Sequence, residues 1–536
     1  MTTLLETPAA PSAPEYRSPP AGAPAVHVHI EETLLPEHRP LDLCTALREI
    51  HGDDVFLLES PQGPQQDRTS AVIGYDRLAE IRVHPGHITI TGTEAVADAL
   101  LTVADGLGLS PSATGSLPID RPGQALELLR AVQNLFALHT AQSPDTYVFG
   151  FLATLGYGTA WHLEDLPPRK GAAGPDCVLT LYRNTVRYDT STGEALHFRA
   201  LAEEFPQPAP FDIVAAARTA ADAVEEPVPA APAPLSVRDS TDRETFLARA
   251  GRCLEHIGVG DIYQIQIGHR IDVTTPLTPL DAYRRLRDRN PSPYMYLVPH
   301  AGTTLIGASP ELLFRTEGDR IVMRPIAGTA PRSGDTGTDA RRVTELLASE
   351  KERAEHVMLV DLCRNDVGRV CVPRTLTAGR LMEVEEFSHV YHLVSTVEGR
   401  LAPDADVWSA LRATFPAGTV TGAPKIRAME IIEGLETEPR GMYAGAVGLV
   451  DVRGRGQFAL CIRTIVRDGP VYSTQSCAGI VADSSPVAEW RETLHKMGAA
   501  YWALTGEELT AVAEAGDLPV TVRRGPDGAP LEGESR

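Results

Sequence analysis

The chain has 536 residues, 43% hydrophobic and 22% charged, enough for two or three ordinary globular domains. Its 49 basic and 71 acidic residues give a net charge of −22, which argues against nucleic acid as the main ligand; an anionic substrate needs a local basic site against that field. Seven scattered cysteines with no C-x-x-C pair indicate neither a zinc ribbon nor a disulfide framework, so a reducing cytoplasm is expected, and no apolar run reaches the roughly eighteen residues of a membrane span.

The opening "MTTLLETPAAPSAPEYRSPPAGAPA" lacks the basic-then-apolar order of a secretory signal, and residues 1–40 read as a disordered Pro/Ala-rich leader. From Leu41, "LDLCTALREIHGDDVFLLES" predicts a short helix and then a strand. "HITITG" and "CVLTLYRNTVRYD" alternate as half-buried strands do, and "QALELLRAVQNLFAL" has helical period. Residues 41–224 are therefore expected to form a mixed N-terminal domain. The Pro/Ala-rich stretch 225–240 is a linker candidate. A catalytic domain is expected over 241–515, opening on a helix with Ser240 as N-cap and Glu244 in its first turn. Strands are expected at "IYQIQIGHRIDV", "TTLIGASPELLFRTEG" and "RIVMRPIAGT". Helices are expected at "DARRVTELLASEKERAEHVMLVDLC" and "PVAEWRETLHKMGAAYWALT". Residues 516–536 read as a flexible tail.

Two acid pairs stand out. Glu352 and Glu355 are three apart in one predicted helix, and Glu489 and Glu492 are three apart in another, with Pro486 early and Ser485 as cap. That spacing puts each pair on one helical face, where like charges repel by about 0.2–0.5 kcal/mol. Two such faces converging suit a divalent cation: Mg²⁺ takes oxygen ligands and keeps several waters, so one or two direct carboxylates suffice. The alternative is a pair of solvated faces laced to Lys351, Arg353 and Arg491. "FPAGTVTGAPKIRAMEII" sets glycines and hydroxyls before a helix, where backbone N–H groups favour anions, although the P-loop spacing is absent. "PIAGTAPR", "GMYAGAVG" and "SCAGIVADS" bring small residues to places where backbone and ligand can approach closely.

With "GDIYQ", "NPSPYMY", "ASPELLF", "EHVMLVDLCRNDVGRV", "SHVYHLVSTVEGRL", "CIRT" and "AGIVADSSPVAEWRETLHK", these stretches cover roughly residues 240–500 in one order. In that order they resemble the chorismate-utilising enzymes and, within them, the large synthase subunits of anthranilate synthase. The resemblance implies an α+β fold in which two large antiparallel β-sheets pack face to face with helices on the outside. It implies that Glu355 and Glu492 ligate Mg²⁺, which holds the ring carboxylate of chorismate, while Glu352 and Glu489 bond to the metal's waters. Tyr443, Arg463, Ala478 and Gly479 are implied to hold the enolpyruvyl carboxylate, with Lys496 nearby, and Gly328, Thr329 and Thr419 to line the ring. Glu311 matches the general acid for the departing ring hydroxyl, and His392 the histidine beside the ring.

The nucleophile separates the subfamilies. Relatives that add water carry a lysine base where this chain has Gln264, and relatives that aminate carbon 4 carry a lysine where it has Ala327. The resemblance therefore implies ammonia attacking carbon 2, followed by pyruvate loss to anthranilate, for tryptophan or a secondary metabolite. The ammonia would come from a separate glutamine amidotransferase subunit in a hetero-oligomer. The alternatives are a 2-amino-2-deoxyisochorismate synthase that stops before pyruvate loss, an isochorismate or salicylate synthase, and a non-catalytic amino-acid sensor. "FLLES" with Glu59 and Ser60, and "NPSPYMY" with Asn290, Pro291 and Met295, match tryptophan-binding elements and imply allosteric feedback. Three positions depart from the family pattern: Ala330 for Arg, Tyr391 for Met and Cys477 for Gly. These departures bear on pyruvate loss and on regulation: Cys477 adds volume beside a backbone expected to approach substrate, and loss of the Arg at 330 removes a charge near the active-site turn.

Overall fold

Period-two alternation builds the architecture. In the strand Tyr294–His300, Tyr296 and Val298 point to one layer while Met295 and Leu297 point to the opposite one. In Gly150–Leu155, Leu152 points into that same first layer, and Phe151, Ala153 and Leu155 point away from it. The shared layer, which also holds Phe56, Tyr182, Val447 and Leu449, is where two sheets meet face to face. Phe56 and Tyr182 meet edge to face there, centroids 5.0 Å apart. The Tyr296 ring lies flat on Gly307: a Cβ at 307 would stand 2.0 Å from its Cζ, so only glycine admits the ring. The computed structural model describes residues 26–514, apart from 69, 172, 173 and 225.

The long strands Ser70–His84 and Cys177–Asp189 pair with each other and join the sheets. One sheet continues through Gly150–Leu155, Ala446–Asp451, Gly456–Leu460, Leu312–Glu317, Arg320–Met323 and Val390–Arg400. The other continues through Phe56–Glu59, Tyr294–His300, Thr303–Ser309, Thr464–Asp468, Val471–Ile480 and Gln264–Thr274. All these pairings are antiparallel; Val26–Leu35 with Phe136–His139 is parallel. Helices cover both outer faces. Gln124–Gln133, Glu350–Gly368 and Val407–Thr414 pack on the first sheet; Pro40–His51, Arg243–Gly258, Pro279–Arg289 and Pro486–Thr505 pack on the second. Each fully buried Leu, Ile or Phe in these layers contributes about 1.5–3 kcal/mol.

The structure corrects several boundaries. The expected leader reaches residue 40, but Val26–Leu35 is a strand whose backbone pairs with Ala195–Leu201. The linker candidate 225–240 ends in the strand Ser236–Asp239, paired with Gln264–Thr274. Stretches 41–224 and 241–515 interleave rather than fold apart: Phe56–Glu59 pairs with Tyr294–His300, and Gly150–Leu155 with Ala446–Asp451. Asp242, not Ser240, caps the helix Arg243–Gly258, accepting from the Thr245 N–H at 2.8 Å. The helical run after residue 335 breaks at Ser349 into Thr336–Ala348 and Glu350–Gly368. "QALELLRAVQNLFAL" stops as helix at Gln133 and resumes as the strand Phe136–His139. Residues 1–25 of the expected leader and the expected tail 516–536 lie outside the described residues. Among the described residues no helix is long and apolar enough to cross a membrane, and no cysteine is in a disulfide.

Candidate active site

A cavity of about 830 Å³ opens where the strands Gln264–Thr274 and Val471–Ile480 face the helices Glu350–Gly368 and Pro486–Thr505 and the strands Ile326–Pro331 and Val390–Arg400. Local rules place its acids. Ser349 caps one helix, its hydroxyl accepting from the Glu352 N–H at 3.3 Å. Ser485 caps the other through its backbone only, with Pro486 at the first position. Glu352 and Glu489 thus sit in first turns, where the helix dipole favours negative charge.

Glu352, Glu355, Glu489 and Glu492 all line the cavity. Glu355 is pushed up by burial first and then by the charges of Glu352 and Glu492, so acids of both helices reach it. Glu489 is likewise raised by burial and by Glu492. Burial also works against ionised Glu492, but the Lys496 ammonium, 2.6 Å from its Oε1, together with Glu489 and Arg463 offsets this and holds it down. Lys496 also donates to the Cys477 carbonyl at 3.0 Å. Among the described residues no three carboxylate, histidine or cysteine side chains already enclose an ion. A hydrated Mg²⁺ keeps several waters and needs only one or two direct carboxylates, and the four glutamates, with Lys496 as the cation paired to Glu492, are an all-oxygen donor set of the kind it takes.

Glu311 follows the strand Thr303–Ser309 and is buried against the cavity wall. Burial pushes its carboxyl up to about 8, although the Thr419 hydroxyl, which donates to Oε1 at 3.1 Å, and the Lys496 charge pull the other way. It therefore holds a proton at neutral pH, as a general acid must. Across the cavity, His392 Nδ1 lies 3.2 Å from the Gly328 carbonyl and 3.0 Å from the Thr329 hydroxyl. A carbonyl only accepts, so Nδ1 carries the hydrogen and Nε2 keeps its lone pair. Burial holds this imidazole down at about 4, neutral at working pH. Gly328 adopts φ +85°, a turn that leaves no room for a Cβ, which would meet Leu393 Cδ1 at 3.0 Å.

Gln264 is buried, with its Oε1 unpartnered. A Cβ at Gly479 would lie 2.8 Å from Gln266 Nε2 and 3.0 Å from Gln264 Nε2, so two amides converge on bare backbone there. Tyr443 and Arg463 stand at the same end, and Arg463 donates through Nη1 to the Lys496 carbonyl. This end is the cationic, donor-rich part of the cavity, and it suits a carboxylate.

The cavity thus gathers Glu311, His392, Gln264, all four metal candidates, Gly328, Thr329, Thr419, Tyr443, Arg463, Gly479 and Lys496. Ala478 is a correction. Cys477 and Gly479 share the cavity face of their strand, and the intervening side chain at 478 turns away into full burial. The allosteric candidates divide. Asn290 and Pro291 line this cavity, whereas Glu59, Ser60 and Met295 do not. Glu59 is buried, accepting from Tyr283 at 2.5 Å and from Arg287 Nε at 2.6 Å, with Met295 opposite it in the ladder. Ala330 is also a correction. Its side chain lies in a buried apolar cluster with Leu346 and Leu393, and it is not part of the cavity wall, so a missing Arg there takes no charge from that wall.

Sequence reasoning passed over Gln266 and His356, and named Cys477 only as a departure from the family pattern. The period-two step from Gln264 marks Gln266 as a co-facing residue. His356 is fully buried; its Nδ1 lies 3.0 Å from the Ala327 carbonyl and its Nε2 2.6 Å from Ser395 Oγ. It locks the helix carrying Glu355 to the sheet, and its signal is a lone histidine entering the apolar run "EHVML".

A model of the chorismate binding enzymes matches residues 97–501. The 2-amino-4-deoxychorismate synthase of Streptomyces globisporus is 45% identical over 489 residues, covering 90% of this chain and 98% of that protein. Anthranilate synthase component 1 of Streptomyces coelicolor is 45% identical over 430 residues, covering 75% and 82%. The crystal structure of anthranilate synthase component I from Streptococcus pneumoniae superposes with a TM-score of 0.66 at 30% identity, covering 81% of this chain and 92% of that one.

Proposed function

Because this chain belongs to the chorismate binding enzyme family, we propose that it aminates chorismate at carbon 2 with ammonia and releases a product that keeps its enolpyruvyl group. The observation that carries this reading is the absence of a protein nucleophile or base on the attacking side: Gln264 and Ala327 stand in the cavity where a lysine would direct water or a different amination. The similarity over 98% of the S. globisporus protein supports the product. That protein's name describes chorismate with an amine at carbon 2 and its 4-hydroxyl gone.

The residues act in ordinary acid–base roles. Tyr443, Arg463, the amides of Gln264 and Gln266, and the open backbone at Gly479 receive the enolpyruvyl carboxylate. Glu355 and Glu492 would hold Mg²⁺, with Glu352 and Glu489 on its waters; when bound, the ion neutralises the ring carboxylate and fixes the ring. Protonated Glu311 gives its proton to the 4-hydroxyl, which leaves as water while ammonia adds at carbon 2 and both ring double bonds shift, from carbons 1–2 and 5–6 to carbons 1–6 and 4–5. Ammonia at neutral pH is mostly ammonium, so a separate glutamine amidotransferase subunit supplies it.

A second reading continues to anthranilate. The observation favouring it is neutral His392, which lines the cavity with Nε2 unprotonated and would take the carbon-2 proton as the enolpyruvyl group departs. The test is to incubate the chain with chorismate, Mg²⁺ and ammonium at alkaline pH and identify the product. A non-fluorescent amine that keeps the pyruvyl mass supports the proposal. Fluorescent anthranilate with free pyruvate supports the second reading, and isochorismate refutes both.

A further inference from the structure

Glu311 stands between two cavities. Glu311, Leu359 and Thr419 line the large cavity and also a small one of about 10 Å³, whose remaining walls are Cys363, Asp366, Arg324 and mostly apolar side chains. That is the space one water occupies. Asp366 is buried, and its Oδ2 accepts from Lys425 Nζ at 3.0 Å; Lys425 also donates to the Thr414 carbonyl at 3.3 Å. Beyond Asp366 lie Arg369 and Glu164, an ion pair at 3.2 Å on the surface. Asp366 feels both of their charges. The Cys363 thiol, raised chiefly by burial, is raised further by Asp366 and by Glu311, so it sits within reach of both carboxyls. Asp366 and Glu311 thus share the wall of one small cavity, and the Arg369–Glu164 pair acts on Asp366 from the surface.

We propose that Asp366, with Lys425 and one water in the small cavity, returns the proton to Glu311 from behind the substrate. The proposal rests on Glu311 acting as the general acid. Each turnover moves the Glu311 proton onto the departing hydroxyl, which leaves as water, and Glu311 is left as a carboxylate. The cavity water gives a proton to Glu311 as it takes one from the Asp366 carboxyl, and Asp366 is refilled from solvent past Arg369 and Glu164. No electrons change hands; one proton enters at Asp366 for each one lost, and the amine formed at carbon 2 sheds its extra proton to solvent at the front. Burial raises the Asp366 carboxyl, while the Lys425 ammonium, 3.0 Å away, and Arg369 pull it the other way. Asp366 is faced by Lys425, Arg369, Glu164 and Cys363, Glu311 by Lys496, Cys363 and the Thr419 hydroxyl, and buried Arg324 lines the small cavity they share. Asp366 touches no substrate and is a positioning residue.

The test compares the full-length wild type with Asp366→Asn and Cys363→Val in chorismate turnover with Mg²⁺ and ammonium, in H₂O and D₂O. Asp366→Asn keeps an acceptor for Lys425 but carries no proton, and Cys363→Val fills the water site while leaving Asp366 in place. The expected result is a kcat about tenfold lower in each, chorismate KM within about twofold, and a solvent isotope effect on kcat about twofold larger than in the wild type. An unchanged kcat, or a lower kcat with an unchanged isotope effect, overturns the relay. If thermal melts show Asp366→Asn misfolded, the Cys363→Val isotope effect decides. A wild type that leaves chorismate untouched overturns the functional reading itself, whereas an active wild type with indifferent variants overturns the relay alone.

Discussion

Replacing Glu311 by Gln should make the protein more stable and nearly inactive, with the stability gain dependent on pH. Burial moves this carboxyl from its ordinary 4.5 to about 8. At about 1.4 kcal/mol per decade of proton affinity, the folded state disfavours the ionised form by roughly 5 kcal/mol. Between pH 4.5 and 8 the folded chain binds more protons at this site than the unfolded chain does, so stability falls as pH rises and levels off above 8. Gln has nearly the same shape, still accepts from Thr419, and does not titrate. Glu311→Gln should therefore exceed the wild type by up to about 5 kcal/mol at pH 8.5 and by less than about 1 kcal/mol at pH 5. Unfolding entropy of about 2.1 cal/mol/K per residue gives about 1 kcal/mol/K for a chain of this size, so Tm should differ by about 5 °C at the higher pH. Calorimetry of both proteins across that range measures this, and turnover should drop by about 10²–10⁴. A Tm difference independent of pH would refute the buried, protonated state, and retained turnover would refute the acid role.

Glu352→Gln should raise the half-saturating Mg²⁺ concentration about tenfold, and Glu355→Gln should raise it further, as expected of a residue on the ion compared with one on its water; titration of activity with Mg²⁺ checks the order, and full activity in both sinks the metal assignment. Gly479→Ala places a methyl group 2.8 Å from Gln266 Nε2. It should raise chorismate KM about tenfold with little change in kcat, and a KM within twofold of wild type would show that the carboxylate lies elsewhere. His392 is held down from 6.5 to about 4. The unfolded chain therefore takes up the proton first, and stability present above pH 6.5 is lost as pH falls towards 4, by about 3 kcal/mol. His392→Gln should abolish that part of the acid sensitivity in urea melts at pH 4.5 and 7, and an equal loss of stability in both proteins would refute the partly buried, neutral imidazole.

Much of the site was legible because its motifs are local. The i, i+3 spacing of Glu352 with Glu355 and of Glu489 with Glu492 puts each pair on one face of a helix whatever the helix packs against. The steps from Glu311 to the strand before it and from Gly328 to Thr329 are equally short range. Boundaries were less legible because they depend on competition. The strand Val26–Leu35 looks like leader until its backbone finds Ala195–Leu201, and Ser240 loses the cap to Asp242 two residues on. Face assignments failed where a motif was read as a block: in "SCAGI" the strand period sends Cys477 and Gly479 into the cavity and Ala478 out of it.

What the sequence alone determined, then, is the inventory: four helix-borne acids, a buried acid, a histidine, glycine turns, and no lysine at 264 or 327. Only the tertiary structure decided their physical state. Desolvation by burial keeps Glu311 protonated even though Thr419 and Lys496 both favour its ionised form, and Lys496, one helical turn from Glu492, holds that carboxylate down beside a raised Glu355. The small cavity joining Glu311 to Asp366, 55 positions along the chain, has no counterpart in any local pattern. Charge states and paths between distant side chains depend on desolvation and proximity, and both arise only when the two sheets and their helices close around the site.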